Sequence, residues 1–94
     1  MNKLKCESVD DFFDAVLTLE NREECYKFFS DVCTTKEVKA IAQRFTVAKM
    51  LRDKKVYTEI VAKTGASTAT ISRVNRSLEE SNNGYDIVFE RLEK

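Results

Sequence analysis

Hydrophobic positions recur along most of this chain at intervals of three and four residues, the spacing that places side chains on one face of an α-helix. The pattern predicts six helices and no strand. Proline is absent and glycine occurs only at Gly65 and Gly84, so the chain contains few residues that break a helix. We therefore expect a single all-α domain over residues 1–94.

Capping residues indicate where these helices start. Ser8, Asn21 and Thr34 each precede an apolar periodic run, and the latter two are followed three residues later by a glutamate, as in a capping box. The long third helix is expected to run to about Arg52. Four of the helices have a predicted apolar face. It consists of Val9, Phe12, Phe13, Val16 and Leu17 in the first helix, and of Cys25, Phe28, Phe29 and Val32 in the second. In the third helix it consists of Val38, Ile41, Phe45, Ala48 and Leu51, and in the sixth of Tyr85, Val88 and Leu92.

The segment EIVAKTGASTATISRVNRSL, residues 59–78, has the pattern of a helix-turn-helix. Gly65 is expected to adopt a left-handed conformation at the end of one short helix, and Ser67 to cap the next. On that next helix Ile71, Val74 and Leu78 recur at helical spacing. Such a motif lays its second helix in the DNA major groove. The turn SNNG then leads into the last short helix.

Small, polar and cationic side chains are predicted to form the DNA-binding surface of this motif. Lys63, Arg73 and Arg76 suit phosphates, whereas the smaller side chains allow close approach to bases. The alternative is an ordinary solvent-facing helix start. The candidate residues are Lys63, Ser67, Thr68, Ala69, Thr70, Ser72, Arg73 and Arg76.

Charge is distributed unevenly although the net charge is zero. Residues 1–31 carry eight acidic and four basic side chains, residues 32–76 three acidic and ten basic, and residues 77–94 five acidic and two basic. The basic block coincides with the long helix and the helix-turn-helix, as binding to double-stranded DNA requires. A solvated surface of mixed charge is the alternative interpretation.

The first two helices are rich in aromatic residues, with five between Phe12 and Phe29. A chain of 94 residues cannot hide all of them, so a shared homodimer core is the economical explanation, and another protein partner the competing one.

Cys25 and Cys33 fall on apolar faces and are interpreted as small core residues, with a redox sensor as an alternative. Three cysteines without histidine do not favour a metal site.

Two segments resemble the long helix, turn and recognition helix of the tryptophan repressor superfamily, especially its YerC/YecD-type branch. They are residues 34–55 (TTKEVKAIAQRFTVAKMLRDKK) and residues 65–78 (GASTATISRVNRSL). The resemblance implies a six-helix, intertwined homodimer with 1–33 as dimerisation helices, 34–55 as the long central helix, 56–81 as the helix-turn-helix and 82–94 as the C-terminal helix. It also implies a repressor of a palindromic operator whose half-sites lie roughly 34 Å apart. In this family the positions of Thr68, Ala69 and Ser72 read bases.

The same resemblance implies a corepressor pocket. Thr34, Arg44 and Arg73 stand where the family's pocket residues stand, but Val74 replaces a glycine of the tryptophan-binding members. A branched side chain there would intrude on a ligand, which disfavours tryptophan and leaves a different corepressor of unknown identity, or none. Alternatively, Arg44 and Arg73 contact phosphates or pair with surface acids such as Glu37 or Glu59.

Two other classes of function compete with that of a regulator. An enzyme is disfavoured because the chain has no histidine, phosphate-binding glycine loop or nucleophile motif, so no catalytic residue is assigned. A protein-interaction module that has lost operator binding is the alternative, because Glu79 and Glu80 would repel phosphates if they faced DNA. No apolar run approaches the ~20 residues of a membrane helix and nothing resembles a signal peptide, so a cytoplasmic protein is expected.

Overall fold

The computed structural model describes residues 3–80 and 83–94, and in those residues it contains six helices and no strand. The all-α prediction is therefore confirmed for the described residues. By their internal contacts the residues group into two units, 1–35 and 36–94. The helices are α1 (Glu7–Val16), α2 (Arg22–Val32), α3 (Thr35–Arg52), α4 (Tyr57–Thr64), α5 (Thr68–Glu79) and α6 (Gly84–Leu92).

The start of α2 follows the predicted cap at Asn21, but α1 starts before its predicted cap, Ser8. The Asn21 side chain accepts a hydrogen bond from the Glu24 backbone N–H at 2.9 Å, and the Glu24 carboxylate accepts one from the Glu20 backbone N–H at 2.9 Å. Cys6, in extended conformation, precedes α1, and its carbonyl accepts from the Asp10 N–H at 3.0 Å. Ser8 therefore lies inside the first turn, and its prediction as the cap was wrong.

An aromatic cluster joins α1 to α2 in the first unit. The Phe12 ring lies 5.9 Å from Phe28 and 6.2 Å from Phe29 between centroids, and the rings of Phe28 and Phe29 are 5.6 Å apart. All three side chains are only half-buried, and neither helix contains a fully buried residue. Among the described residues of this unit, the two short helices thus form a cluster whose rings stay partly exposed.

Several side chains predicted to be inside the first unit are exposed. Cys25 is exposed and Cys33 half-buried, so the interpretation of Cys25 as a core residue was wrong. Leu17 is 81% exposed and Val32 51% exposed. Helical spacing marks an apolar face correctly, but it does not show whether anything packs on that face.

Helices α3 to α6 build the hydrophobic core of the second unit. Its buried residues are Val47, Ala48, Ile60, Ala66, Ile71, Val74 and Phe89. Half-buried Phe45, Leu51, Leu78 and Tyr85 pack against them. Ile41 and Val88, predicted to face inward, are exposed, whereas Val47 and Phe89 were not predicted. The reason is that α3 and α6 carry apolar residues on more than one side, so spacing alone does not select the buried face.

A non-glycine residue in the left-handed region ends α3. Lys54 has a φ of 63°, and the N–H groups of Lys54 and Lys55 donate to the carbonyls of Leu51 and Met50 at 3.0 Å each. This is the Schellman arrangement, in which glycine is favoured because a Cβ is strained at positive φ. The left-handed conformation of Lys54 therefore lowers the stability of the fold by a small amount.

Replacing Lys54 by glycine is expected to raise the free energy of unfolding by about 1 kcal/mol, because the strain of the left-handed side chain is removed. Urea denaturation followed by circular dichroism measures the change. Lys55→Gly is the matched control: Lys55 is not among the described residues with positive φ, so this change should not stabilise. Equal effects of the two substitutions would contradict the assignment of strain to Lys54.

Candidate nucleic-acid interface

The turn between α4 and α5 is three residues long and is held at both ends. Gly65 has a φ of 73°, and its N–H donates to the Val61 carbonyl at 2.9 Å. Ala66 is buried, and the Ser67 hydroxyl accepts from the Thr70 backbone N–H at 3.1 Å. The predictions of a left-handed Gly65 and a capping Ser67 are both confirmed. A turn this short fixes the direction in which α5 leaves α4.

The two faces of α5 have opposite environments. Ile71 and Val74 are buried in the core and Leu78 is half-buried, so this face attaches the helix to the second unit. The opposite face is exposed to solvent and carries Thr68, Ala69, Ser72, Arg73 and Arg76. The side chains suited to bases and phosphates therefore share one accessible surface, which we call the α5 outer face.

Ser67 and Thr70 take part in capping as well as lying near the outer face. Their hydroxyl oxygens are 3.1 Å apart, and Thr70 is half-buried at the edge of the face. Ser67 is exposed, and so is Lys63 on α4. Ser67 and Thr70 thus stabilise the start of α5, a role in addition to the DNA contact predicted for both.

The cations of the interface form no ion pair within residues 3–80 and 83–94. The salt bridges found there join Lys5 to Asp10, Lys27 to Glu23 and Arg52 to Glu93. Lys63, Arg73 and Arg76 therefore keep their charge available to an external anion.

Arg73 and Arg76 form a row along α5, and no acidic residue lies between them in that row. Ala69, Arg73 and Arg76 follow one another at intervals of four and three residues, so they lie on the same side of the helix. Glu80 continues that row only after Arg76, at the cap of α5. The acid thus limits the basic surface at the C-terminal end of the helix.

The residues of the predicted ligand pocket have different surroundings. Val74 is buried in the core beside Ile71, whereas Arg44 and Arg73 are exposed. Thr34 belongs to the first unit. A surface cleft of about 360 Å³ lies elsewhere and contains none of these four; its lining is Lys39, Ala42, Gln43, Thr46, Lys63 and Thr64.

Gln43, which lines that cleft, is a functional candidate that the sequence did not indicate. The Gln43 side-chain amide on α3 donates to the backbone carbonyl of Thr64 at 3.1 Å. The two residues are 21 positions apart, and neither belongs to a recognisable motif, so no local pattern indicates the bond.

The described residues offer neither a metal-binding cluster nor a membrane-spanning helix. Residues 3–80 and 83–94 contain no group of three or more cysteine, aspartate or glutamate side chains placed to hold a metal ion. In the same part of the chain, none of the helices combines the length and the apolar character needed to cross a bilayer.

Comparison with known proteins gives consistent matches over almost the whole chain. A family model described as Trp repressor protein matches residues 7–93. The uncharacterized protein YerC of Bacillus subtilis (strain 168) is 45% identical over 94 residues, which are 100% of this chain and 90% of that protein. The crystal structure of a TrpR-like protein from Eubacterium eligens ATCC 27750 has 59% identity and a TM-score of 0.93, covering 98% of this chain and 95% of that one. A protein from Staphylococcus aureus, described as a proposed Trp repressor, has 50% identity and a TM-score of 0.92, covering 97% and 91%.

Proposed function

Because the chain belongs to the Trp repressor family, a family of DNA-binding regulators rather than enzymes, we propose that it is a sequence-specific transcriptional repressor in the cytoplasm that binds a palindromic operator as a homodimer. The observation that carries this proposal is the division of α5 into a buried face and an exposed, cationic face. A helix fixed to its domain on one side can enter the major groove with the other.

The α5 outer face divides into two kinds of DNA contact. Thr68, Ala69 and Ser72 lie within the first five residues of α5 and are exposed. Their methyl and hydroxyl groups suit thymine methyls and base edges, and none of the three makes the bidentate contact that arginine makes with guanine. We therefore expect half-sites in which thymine methyl groups contribute to recognition.

The cations supply the part of the binding that does not depend on sequence. Lys63, Arg73 and Arg76 are exposed and free of ion pairs within the described residues, so each can contact a phosphate. A dimer would present each of them twice. Each neutralised phosphate releases condensed counterions, which makes the affinity fall as salt rises.

Dimerisation is supported by the apolar surface of the first unit. Tyr26 on α2 is 71% exposed, Leu17 at the C-terminal cap of α1 is 81% exposed, and Phe13 on α1 is half exposed. An uncovered surface of this kind marks an interface. A second copy of the chain would cover it and would bring two α5 helices into one complex, as a palindromic operator requires.

Tyr26→Glu is expected to weaken the dimer by at least about a hundredfold, since a charge placed in an apolar interface loses its hydration without gaining a partner. Analytical ultracentrifugation over a range of protein concentrations measures the shift from dimer to monomer. Lys27→Gln, one position along on the exposed surface of α2, should leave the dissociation constant within about twofold. A wild-type protein that stays monomeric at every concentration would refute the dimer.

The position of Val74 supports DNA binding that does not depend on tryptophan. Its side chain is packed in the core directly after Arg73, so the space that a glycine would leave at this position is filled. A corepressor of other chemistry, held by Arg44 and Arg73 of the second unit, is the secondary proposal. Thermal-shift screening of the dimer with amino acids and indole compounds tests it, and stabilisation by tryptophan would contradict our account.

Fluorescence anisotropy with duplex DNA fragments distinguishes a DNA-binding regulator from an interaction module. With three cations from each of two protomers, log K should fall against log salt with a slope of about −5, from roughly six phosphate contacts at 0.9 each. The absence of binding even at low salt would favour the interaction module, whose partner is another protein.

A further inference from the structure

A side chain of α3 donates a hydrogen bond to the end of α4 at the turn of the helix-turn-helix. Gln43 is half-buried, and its Nε2 atom donates to the carbonyl oxygen of Thr64 at 3.1 Å. Thr64 is the last residue of α4, so its carbonyl is among those that no N–H of the same helix satisfies. The acceptor that a helix end leaves open is thus bonded by a neighbouring helix.

Thr64 also organises the turn through its own hydroxyl. The Oγ1 atom donates to the Ile60 carbonyl at 2.7 Å and accepts from the Ala66 N–H at 3.1 Å. Gly65, between Thr64 and Ala66, takes the left-handed conformation. The Gln43 bond therefore acts on a residue whose backbone and side chain are both tied to the turn from which α5 starts.

We propose that Gln43 is a positioning residue that sets the direction of α5 relative to α3 and thereby the sequence specificity of the protein. The inference rests on the proposed function, because specificity presupposes an operator. Apolar contacts of Ile60 and Ala66 hold α4 and the turn in the core, but such contacts have no preferred direction. A hydrogen bond does have one, so the Gln43 bond selects a single orientation among those that the core allows.

Specific and non-specific binding should respond differently to the loss of this bond. Base contacts require the α5 outer face to sit in the groove within a fraction of an ångström. Phosphate attraction depends on charge and tolerates a small rotation. A variant that lacks the bond should thus lose affinity for its operator while keeping its affinity for unrelated DNA.

The test compares Gln43→Met with Thr46→Val. Methionine keeps the length of the side chain but cannot donate. Thr46 lines the same cleft one turn further along α3, and its hydroxyl donates only to the Ala42 carbonyl of its own helix at 3.1 Å. Two quantities are measured for each variant: the angle between α3 and α5 in the DNA-free dimer from NMR residual dipolar couplings, and the ratio of the affinities for a selected operator and for an unrelated duplex.

For Gln43→Met we expect a changed angle and a ratio about tenfold lower, the effect of one hydrogen bond, with an unchanged salt slope. Thr46→Val should alter neither quantity by more than about twofold. If Gln43→Met does not fold, Gln43→Leu replaces it, since leucine is uncharged, keeps much of the bulk and lacks the donor.

An unchanged angle together with an unchanged ratio would overturn the role of Gln43. A wild-type protein that selects no operator would refute the proposed function instead. In that case the residual dipolar couplings still decide whether Gln43 orients α5, so the two failures are distinguishable.

Discussion

Arg73→Ala is expected to weaken operator binding by about a hundredfold, because a dimer loses two charge-assisted phosphate contacts that contribute roughly tenfold each. The salt slope should become less negative by about 2. Arg73 is exposed and forms no salt bridge within the described residues, so the fold should be unaffected. Fluorescence anisotropy on the operator at several salt concentrations measures both effects.

Arg91→Ala provides the matched control for this substitution. Arg91 is also an exposed arginine of the second unit, but it lies on α6 rather than on the α5 outer face. Its removal should change the affinity by no more than about twofold and leave the slope nearly unaltered. If Arg73→Ala kept full affinity, the α5 outer face would not be the surface that contacts DNA.

Phe89→Ala is expected to lower the free energy of unfolding by about 3–5 kcal/mol, the cost of removing a buried aromatic side chain. The Phe89 ring lies 5.3 Å from that of Phe45 and 5.8 Å from that of Tyr85, and the Arg52 guanidinium is 5.1 Å from its centroid. A small domain has only about 5–15 kcal/mol of stability, so most of it would be lost. Urea denaturation of the variant and the wild type measures the difference.

The neighbouring residue Val88 is the control for Phe89. Val88 is 44% exposed, so Val88→Ala should cost less than about 1 kcal/mol. A larger loss from Val88→Ala than from Phe89→Ala would show that the opposite face of α6 packs on the core. That outcome would support the sequence prediction that Val88 lies on the inward face of the last helix.

The attachment of α6 also includes an ion pair. Arg52 at the end of α3 donates to the Glu93 carboxylate beside α6, and this hydrogen bond raises the pKa of the guanidinium above its ordinary value. Both side chains are exposed, so the pair contributes little next to the burial of Phe89. The aromatic packing is therefore the main connection between the last helix and the core.

The local features of the fold were predictable because their determinants are adjacent in sequence. Gly65, Ser67 and Asn21 act within three or four residues of themselves, and the structure confirms all three. The outer face of α5 was predictable for a similar reason. Ile71 and Val74 define the buried side by their spacing, and the exposed side follows from it.

The features that were missed depend on the arrangement of helices in space. Ile87, Val88 and Phe89 are consecutive apolar residues, so only the packing of α6 on α3 decides which of them is buried. The bond between Gln43 and Thr64 joins positions 21 residues apart. The exposure of Cys25 has a similar origin, because its spacing places it on an apolar face of α2 but does not show whether another helix packs there.

Selection of duplexes from a random DNA library by the wild-type dimer, followed by sequencing, tests the central claim most directly. We predict a palindromic motif whose half-site centres are about one helical turn apart, roughly 34 Å, because each protomer places one α5 in a successive major groove. A retained pool with the same composition as the input, obtained at low salt with a dimer verified by ultracentrifugation, would contradict a sequence-specific regulator.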